Sequence, residues 1–293
     1  MRLNIIPVCT GYWVPGTDYL FEVVTHIKGK IVDGDFLIIS EKAICTATGS
    51  IVDESKVKPS SVSYLLARVW MRLVWGYILG AFSRLNALNI QRIRDYPIQE
   101  GSAHKQVSIL YAGPIASLKH WSEGGIDSSN LPYSFSSIPL ENPAEHAARL
   151  REKVRMELGC DVNVILGDSD KTFTFHGLHL STRRSYVRGI RNLGFIAFLF
   201  GRFLRLRPRS TPVAYAGRDA DADRLLSLTA LANKARGHGA GRTVWDMAER
   251  FRSSPTEVTW GMLSSIPHYP IVIIRIKFRA GNRITRLSQP RRR

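Results

Sequence analysis

The chain has 293 residues, 44% of them apolar and 22% charged, which is the composition of a globular protein with a sizeable core. Its formal net charge of +17 is unusual and favours polyanionic partners, namely nucleotides, nucleic acid, acidic small molecules or a membrane surface. The three cysteines have no metal-type spacing, and their odd, sparse count favours a reducing, cytoplasmic compartment over a disulfide scaffold.

No targeting or membrane-spanning segment is predicted. The amino terminus lacks the charged and apolar regions of a signal peptide. The two longest apolar stretches, residues 69–82 and 193–204, are each interrupted by an arginine and fall short of the roughly 20 apolar residues that a membrane span needs. We therefore expect both to be buried or interface helices, and we expect no membrane partner.

Two apolar runs near the amino terminus predict strands, at residues 3–8 and 36–40. Between them, Asp18 is placed to cap a short helix that ends near Ile27. The second run is uninterrupted, which is typical of a strand that is buried on both faces.

Three polar residues stand at the end of the second predicted strand: Ser40, Glu41 and Lys42. In the functional interpretation they contact a phosphate or a base of a bound nucleotide. In the structural interpretation they are only the polar end of a strand. The residues alone leave both interpretations open.

Residues 57–93 predict a largely helical segment with a break at residues 76–80. The segment is rich in aromatic side chains, which packing or a subunit interface explains better than a cofactor site does. Residues 106–112 predict another strand, which leads into a glycine-containing segment.

This segment, residues 122–130, contains Gly124, Gly125, Asp127 and Asn130. Glycines allow backbone amides to approach an anion closely, an aspartate can ligate a metal, and an asparagine can contact a nucleotide. Taken alone, the segment is more typical of a surface loop.

A second carboxylate segment follows a helix that is predicted to begin at Asn142. The apolar run of residues 162–166 is long enough for a buried strand, and Gly167, Asp168 and Ser169 come directly after it. Oxygen ligands at a sheet edge can hold a hard cation such as Mg²⁺ against a phosphate. An Asp-rich turn that caps its own backbone is the commoner arrangement, but two such segments in one chain favour the metal site.

The carboxy-terminal part is basic and contains a glycine loop. Residues 183–209 combine arginines with apolar residues and either wrap an anionic substrate or form a subunit contact. A helix predicted at residues 219–236 runs into a loop with glycines at every second position: Gly237, Gly239 and Gly241. The loop lacks the Walker sequence, but its amides can form a nest for a polyphosphate; the alternative is a helix C-cap and turn. Residues 271–278 predict a last strand that closes the sheet.

Strands and helices do not alternate regularly along the chain, which favours an α+β fold with mixed and antiparallel sheets over a doubly wound fold. We expect this fold to occupy residues 1–278 as two interlocked subdomains with a boundary near residue 160. Residues 279–293 hold several arginines without an apolar period and predict a basic, disordered tail.

The order of these segments resembles the gamma-glutamyl ligases of coenzyme F420 biosynthesis and their archaeal paralogues. The matching stretches are residues 15–18, 33–35, 125–130, 164–169 and 222–243, and the most specific of them reads Gly-Ile-Asp-Ser-Ser-Asn. Enzymes of that family join L-glutamate to the acidic deazaflavin precursor F420-0, using GTP and a divalent metal, Mg²⁺ or Mn²⁺. The resemblance therefore implies a ligase with a two-subdomain α+β fold that acts as a homodimer.

The resemblance also assigns roles to individual residues. Carried over by motif, the metal ligands are Asp127, Asp168, Ser169 and His238, and the two aspartates are the catalytic residues. The implied nucleotide contacts are Ser40, Glu41, Lys42, Asn130, Gly237, Gly239 and Gly241. The implied contacts of the acidic acceptor are Arg183, Arg184 and Arg188. His238 stands where the family has an acidic or amide oxygen ligand, and Thr46 stands where a lysine is expected.

Two other functions remain open. The net charge and the arginine tail would also suit a nucleic-acid-binding protein, although the chain contains no recognisable RNA- or DNA-binding module. We therefore expect nucleic acid to bind only non-specifically, through the tail. The third possibility is a ligase-like fold without catalysis that acts as a dimeric binding module.

Overall fold

The computed structural model describes residues 2–277, and its centre is a seven-stranded mixed sheet. The strands of this sheet are β1 (Arg2–Thr10), β2 (Phe36–Ser40), β5 (Asn163–Phe175), β6 (Leu178–Ser181), β7 (Ile190–Asn192), β8 (Arg207–Ala216) and β9 (His268–Lys277). A separate short pair is formed by β3 (Ile51–Asp53) and β4 (Phe135–Ser137). The order across the large sheet is β1-β9-β2-β5-β6-β7, and β8 also pairs with β5.

The sheet is built around β5. Its first half pairs in parallel with β2, so that Ser40 lies opposite Gly167, and it pairs antiparallel with β8. The strand then continues through Asp168 and Asp170 and pairs with β6, while its register with β8 shifts between Asp168 and Lys171. The Asp-rich segment is thus part of a strand with a bulge rather than a turn, and a bulge redirects the side chains next to it.

Helices cover both faces of the sheet. They are α1 (Tyr19–Ile27), α2 (Glu41–Ala47), α3 (Ser61–Phe82), α4 (Ala87–Arg94), α5 (Ile98–Ala112), α6 (Pro114–Ser117), α7 (Pro143–Leu158), α8 (Gly194–Phe203), α9 (Ala222–Arg236), α10 (Val244–Phe251) and α11 (Trp260–Ser264). One face packs against α1 and α7, and the opposite face packs against α9. Because successive strand residues point to opposite faces, Leu166 joins the first core and Ile165 joins the second. Burial on both faces explains the continuous apolar run of β5.

The predicted strands at residues 3–8, 36–40 and 162–166 are confirmed, as is the last strand up to Lys277, where the described residues end. The helix that begins after Asp18 is also confirmed, and Asp18 Oδ1 caps it by accepting from two backbone N–H groups at 3.1 Å. Cys9, Cys45 and Cys160 are all free thiols.

A layer of helices, α3 to α6 with α8, lies beside the sheet, and here two predictions are wrong. Residues 106–112 are the end of α5 and not a strand. The helix of residues 61–82 continues through the predicted break at 76–80, and its middle part, Leu66–Leu79, is wound as a π-helix. Gly76 and Gly80 serve helix packing instead: a Cβ at Gly76 would lie 2.9 Å from a side-chain carbon of Arg94 in α4.

The α+β class is confirmed. The subdomain boundary near residue 160 stays a prediction, and the tail of residues 279–293 lies outside the described residues. Among the described helices, α3 is long and apolar enough to cross a membrane by length and composition.

Candidate functional site

The candidate site is a cavity of about 310 Å³ at the sheet edge where β2 and the first half of β5 end. The carboxyl ends of neighbouring parallel strands are a usual position for ligands in open sheets. Its wall contains ten of the predicted site residues: Ser40, Lys42, Asp127, Asn130, Asp168, Ser169, Gly237, His238, Gly239 and Gly241. Four segments that are far apart in the chain therefore converge on one cavity.

Asp127 lies in the loop before β4, and its carboxylate is paired with Lys42 of α2. Lys42 Nζ donates to Asp127 Oδ2 at 2.5 Å and to the carbonyl and hydroxyl oxygens of Ser129 at 3.0 and 3.1 Å. Asp127 Oδ1 accepts from the Ser129 N–H at 2.8 Å. Lys42 thus ties this loop to the sheet edge and neutralises the Asp127 charge.

Asp168 is the acid of the sheet edge itself, and a buried arginine keeps it ionised. Arg183 Nη1 donates to Asp168 Oδ2 at 2.6 Å, and the Ser169 N–H donates to Oδ1 at 2.6 Å. Burial alone would raise the pKa of Asp168, but Arg183 and Lys42 together lower it to about 2. Asp168 is therefore an anion throughout the neutral pH range.

Arg183 and Glu41 do not line the cavity, contrary to the roles predicted for them. Arg183 is only 2% exposed; its Nη2 donates to Glu41 Oε1 at 2.8 Å and its Nη1 donates to Glu41 Oε2. Gly125, with φ at +105°, makes room for this guanidinium, because a Cβ there would lie 2.6 Å from Arg183 Cζ. Two buried acids need a cation between them, so this arginine orients Asp168 and is not free to bind an acceptor.

Arg184 and Arg188, the other two predicted acceptor contacts, are exposed and line neither this cavity nor the one beside it. Arg184 instead lies over the ring of Tyr186, with 4.8 Å between Cζ and the ring centroid. Of the three arginines, only Arg183 turns inward, and the acceptor contacts of Arg184 and Arg188 stay a prediction.

The glycine loop between α9 and α10 is held in place by Asn130. Asn130 Oδ1 accepts from the Ala240 N–H at 2.6 Å, and its Nδ2 donates to the Gly241 carbonyl at 2.9 Å. Gly239 has φ at +59°, and a Cβ there would lie 2.5 Å from Asn130 Oδ1. Both polar atoms of the Asn130 amide serve the loop, so this side chain positions the loop where a nucleotide contact was predicted.

The loop offers backbone donors to the cavity. Within residues 2–277, no acceptor engages the N–H groups of Gly237, His238 and Gly239. Successive free N–H groups of this kind form a concave binding site for anions. Burial lowers the pKa of His238, and the nearby cations Arg242 and Lys171 lower it further, so its imidazole is neutral at pH 7.

Cationic side chains outnumber acids on the cavity wall. The cations are Lys42, Lys171, Arg236 and Arg242, and the acids are Asp127 and Asp168. Such a balance favours a polyanion. We assigned no role to Lys171 from the sequence, although it directly follows the Asp-rich segment; the β5 bulge brings it to the cavity. Tyr12, Trp13 and His268 also line the wall, and no motif marked them.

A second cavity of about 800 Å³ adjoins the first and shares four lining residues with it: Ser122, Asp127, Ser129 and Arg242. Its wall is rich in aromatic side chains: Tyr96, Trp121, Tyr133, Phe135 and Trp245. Glu54 and Glu100 line it as well. The two cavities together have room for a phosphate-bearing ligand and for a larger, ring-containing molecule.

The donors around the first cavity suit the divalent metal that the resemblance implies. Asp127, Asp168 and Ser169 offer oxygen atoms, and His238 offers a neutral nitrogen. Each carboxylate already has a cationic partner, and the described chain contains no group of three or more His, Cys, Asp or Glu side chains placed to hold an ion. The donor types therefore fit, but an ion here would take further ligands from phosphate oxygens and water, as Mg²⁺ usually does.

Comparison with known proteins decides the family, because residues 9–180 match the F420-0:gamma-glutamyl ligases. The chain belongs to this family. An uncharacterized protein of Methanocaldococcus jannaschii is 31% identical over 286 residues, which are 94% of this chain and 97% of that relative. The coenzyme F420:L-glutamate ligase of Methanopyrus kandleri is 24% identical over 173 residues, which are 57% of this chain and 60% of that protein.

Membership of the F420-0:gamma-glutamyl ligase family confirms the resemblance that the sequence motifs indicated. The matched region contains both cavity aspartates, Asp127 and Asp168. It ends before the glycine loop, whereas the similarity to the M. jannaschii protein covers almost the whole chain.

Proposed function

We propose that this protein is a GTP- and divalent-metal-dependent ligase that forms a gamma-glutamyl amide bond on F420-0 or a related acidic acceptor. One observation carries the proposal: the sheet-edge cavity combines free loop amides and four cationic side chains with two aspartates. A metal-bound nucleoside triphosphate needs donors for its phosphate oxygens and carboxylates for its ion. Family membership supports the reaction class.

The proposed reaction has two steps. A carboxylate oxygen of the acceptor attacks the γ-phosphorus of GTP, the bond to the β-phosphate oxygen breaks, and GDP leaves. The amide formed in the next step is a gamma-glutamyl bond when this carboxylate is the γ-carboxylate of a glutamyl residue on the acceptor. The amine nitrogen of L-glutamate then attacks the acyl carbon of the resulting acyl phosphate, inorganic phosphate leaves, and the amine proton passes to solvent. Mg²⁺ or Mn²⁺, held by Asp127, Asp168, Ser169 and His238, would neutralise phosphate charge.

The residues of the chain bind and align the phosphates. Lys171, Arg236 and Arg242 line the cavity as cations, and the glycine loop, whose N–H groups have no acceptor within residues 2–277, lines it as well. Arg183, which is buried next to Asp168, fixes the orientation of the Asp168 carboxylate and keeps it ionised. Catalysis of this kind rests on alignment and charge neutralisation, with little covalent work for the protein.

We place the acceptor and L-glutamate in the larger cavity. Its aromatic side chains suit a planar ring system, and Arg242, which it shares with the first cavity, suits an acidic group between the two. Glu54 and Glu100 on its wall suit the ammonium group of glutamate. The homodimer and the cytoplasmic location remain predictions, and light scattering of the full chain checks the first.

A turnover assay with GTP, Mn²⁺, L-glutamate and F420-0 tests the proposal. We expect GDP and phosphate release that requires both glutamate and acceptor, together with a product that is one glutamyl residue heavier. Asp127→Asn removes a proposed metal ligand and is expected to lower kcat about 100-fold or more. Asp53→Asn, at a surface pair with Lys56, serves as the matched control. GTP hydrolysis without glutamyl transfer, or unchanged turnover in Asp127→Asn, would refute the proposal.

A further inference from the structure

The helical layer turns an apolar side of α3 toward solvent. Hydrogen bonds in a π-helix join residues five apart, so side chains four and five positions apart lie on the same side of it. The exposed apolar residues on this side are Leu65, Val69, Leu73, Tyr77, Ile78 and Phe82. Leu73 and Ile78 are 54% and 63% exposed, so the described chain leaves more than half of each residue uncovered.

Helix α8 has a similar apolar side. Its exposed apolar residues recur at intervals of three and four, which places them on one face of an α-helix. They are Leu193, Ile196, Phe200, Phe203 and Leu204. The opposite face, with Ala197 and Gly201, is buried against the rest of the fold.

These two sides form one continuous surface, because α3 and α8 lie next to each other. The rings of Trp70 and Phe195 are in contact, with centroids 5.9 Å apart, and Phe82 stacks on Phe203 at 4.5 Å with an angle of 3° between the planes. Arg202 of α8 donates to two backbone carbonyls just after α3, both at 2.9 Å. We call the exposed residues of both helices together the α3–α8 face.

The two chain segments that form the α3–α8 face carry charge of a single sign. Neither residues 55–94 nor residues 171–218, which contain the two helices, include an aspartate or a glutamate. The exposed arginines of these segments near the helix ends and on α3 are Arg68, Arg84, Arg191, Arg205 and Arg207. An apolar surface with a cationic border is complementary to a lipid bilayer with anionic headgroups.

We propose that the α3–α8 face docks on the surface of an anionic phospholipid membrane, with its apolar side chains among the acyl chains and its arginines at the headgroups. A second copy of this chain fits the face less well, since a two-fold contact would place the arginines against each other without a compensating acid. Burial of Ala67, Met71 and Trp75 on the other side of α3 means that the helix lies on the membrane and does not span it. The proposal departs from our expectation that the protein has no membrane partner, and it does not depend on the proposed ligase activity.

Vesicle flotation of the full chain tests the proposal. We expect binding to vesicles of 70% phosphatidylcholine and 30% phosphatidylglycerol, weaker binding to pure phosphatidylcholine, and loss of binding as salt is raised. Leu73→Glu and Phe200→Glu each place a charge in the α3–α8 face and are expected to lower the partition coefficient about tenfold or more.

The matched control is Phe21→Glu, which makes the same kind of change at an exposed residue of α1, with 59% of its surface open. The arginines of residues 279–293 are present in every protein compared, so attraction by the tail cannot produce a difference between variants. Circular dichroism and thermal unfolding establish that each variant is folded, and a Leu73→Ser, Phe200→Ser double variant replaces any glutamate variant that is not.

Three outcomes would overturn the proposal. The first is that the wild-type protein does not bind anionic vesicles. The second is equal binding by Leu73→Glu, Phe200→Glu and Phe21→Glu, which would attribute binding to net charge alone. The third is a wild-type dimer that Leu73→Glu converts to a monomer without any change in vesicle binding, which would assign the face to a second copy.

Discussion

Two buried ion clusters among residues 2–277 use the same chemistry in different surroundings. At the sheet edge, Arg183 joins two acids, and one of them, Asp168, reaches the ligand cavity. In the helical layer, Glu123 accepts from Lys105 Nζ at 2.5 Å and from His104 Nε2 at 2.9 Å. Glu123 and Lys105 are fully buried. The comparison indicates that the first, open cluster (Arg183, Glu41 and Asp168) positions an anion for a ligand, whereas the second, closed cluster (Glu123, Lys105 and His104) holds the helical layer together.

The largest effect is expected from breaking the closed cluster. Glu123→Gln leaves the Lys105 ammonium without a charged partner in the protein interior, which should lower the free energy of unfolding by about 3–5 kcal/mol. Urea denaturation measures this change. If GTP binds as proposed, its affinity for the folded protein should stay at the wild-type value, because Glu123 does not line the sheet-edge cavity.

The pH dependence of this effect has a definite sign. Burial would raise the pKa of Glu123, but Lys105 and His104 outweigh it and hold the pKa well below the usual range. Its stabilising contribution is therefore present at neutral pH and is lost as pH falls through the native-state pKa. The difference between wild type and Glu123→Gln should shrink in acid. A cost below about 1 kcal/mol, as expected for Asp53→Asn at the exposed Lys56 pair, would contradict a structural role for the cluster.

A slightly smaller loss of stability, combined with a loss of binding, is expected at the open cluster. Arg183→Met leaves Glu41 and Asp168 without their cation and should cost about 2–4 kcal/mol of unfolding free energy. Unlike Glu123→Gln, it should also weaken binding of GTP with Mn²⁺, since Asp168 loses its orientation and its pKa rises above the native value of about 2. Titration calorimetry on the folded variant measures this. Wild-type affinity in Arg183→Met would remove the functional distinction between the two clusters.

The smallest effect should come from Asp170, which lies behind the open cluster. Lys119 Nζ donates to its Oδ1 at 2.9 Å, while its buried Oδ2 has no partner in the described chain. Burial, reinforced by the Asp168 charge and opposed by Lys119, raises the pKa of Asp170 to about 6. The native state thus holds a proton that the unfolded state releases, so this group makes the protein less stable as pH rises through that window.

Asp170→Asn does not titrate and should remove this dependence. The free energy of unfolding of Asp170→Asn, relative to wild type, should rise by on the order of 3 kcal/mol at most between about pH 4 and pH 6. Above about pH 6 the difference between the two proteins should stay constant. Thermal unfolding across this pH range measures the difference. A constant difference between the two proteins at all pH values would show that Asp170 ionises normally.

The two regions also differ in how far the sequence predicted them. The central strands of the sheet can be recognised in the sequence because they are buried on both faces. Such strands are continuous apolar runs, as at residues 36–40 and 162–166. In α5, by contrast, Lys105 and Ser108 are buried and Leu110 is exposed, so apolar residues do not mark the inner side and residues 106–112 were mistaken for a strand.

The sequence also predicted only part of the candidate site. Motif order placed Asp127, Asp168 and the glycine loop in one site, and all three line the same cavity. Asp168 follows a recognisable strand and the glycine loop a recognisable helix, whereas Asp127 was found by its Gly-Ile-Asp-Ser-Ser-Asn motif alone. The partners of these groups could not be predicted: nothing local distinguishes Arg183 from Arg184, yet only Arg183 meets Gly125 across the fold. Pairings of this kind depend on contacts between distant segments.

The central claim is that the glycine loop and the sheet edge together bind a metal-bound nucleoside triphosphate, and calorimetric titration of the full chain with GTP and Mn²⁺ tests it most directly. Gly239→Ala places a Cβ against Asn130 and should lower the affinity at least about tenfold. Gly159→Ala carries a similar backbone strain at the end of α7, at φ +67° and in open space, and should bind like wild type. Saturable binding that only Gly239→Ala weakens is the predicted result; no binding by wild type, or equal affinities in the two variants, would contradict it.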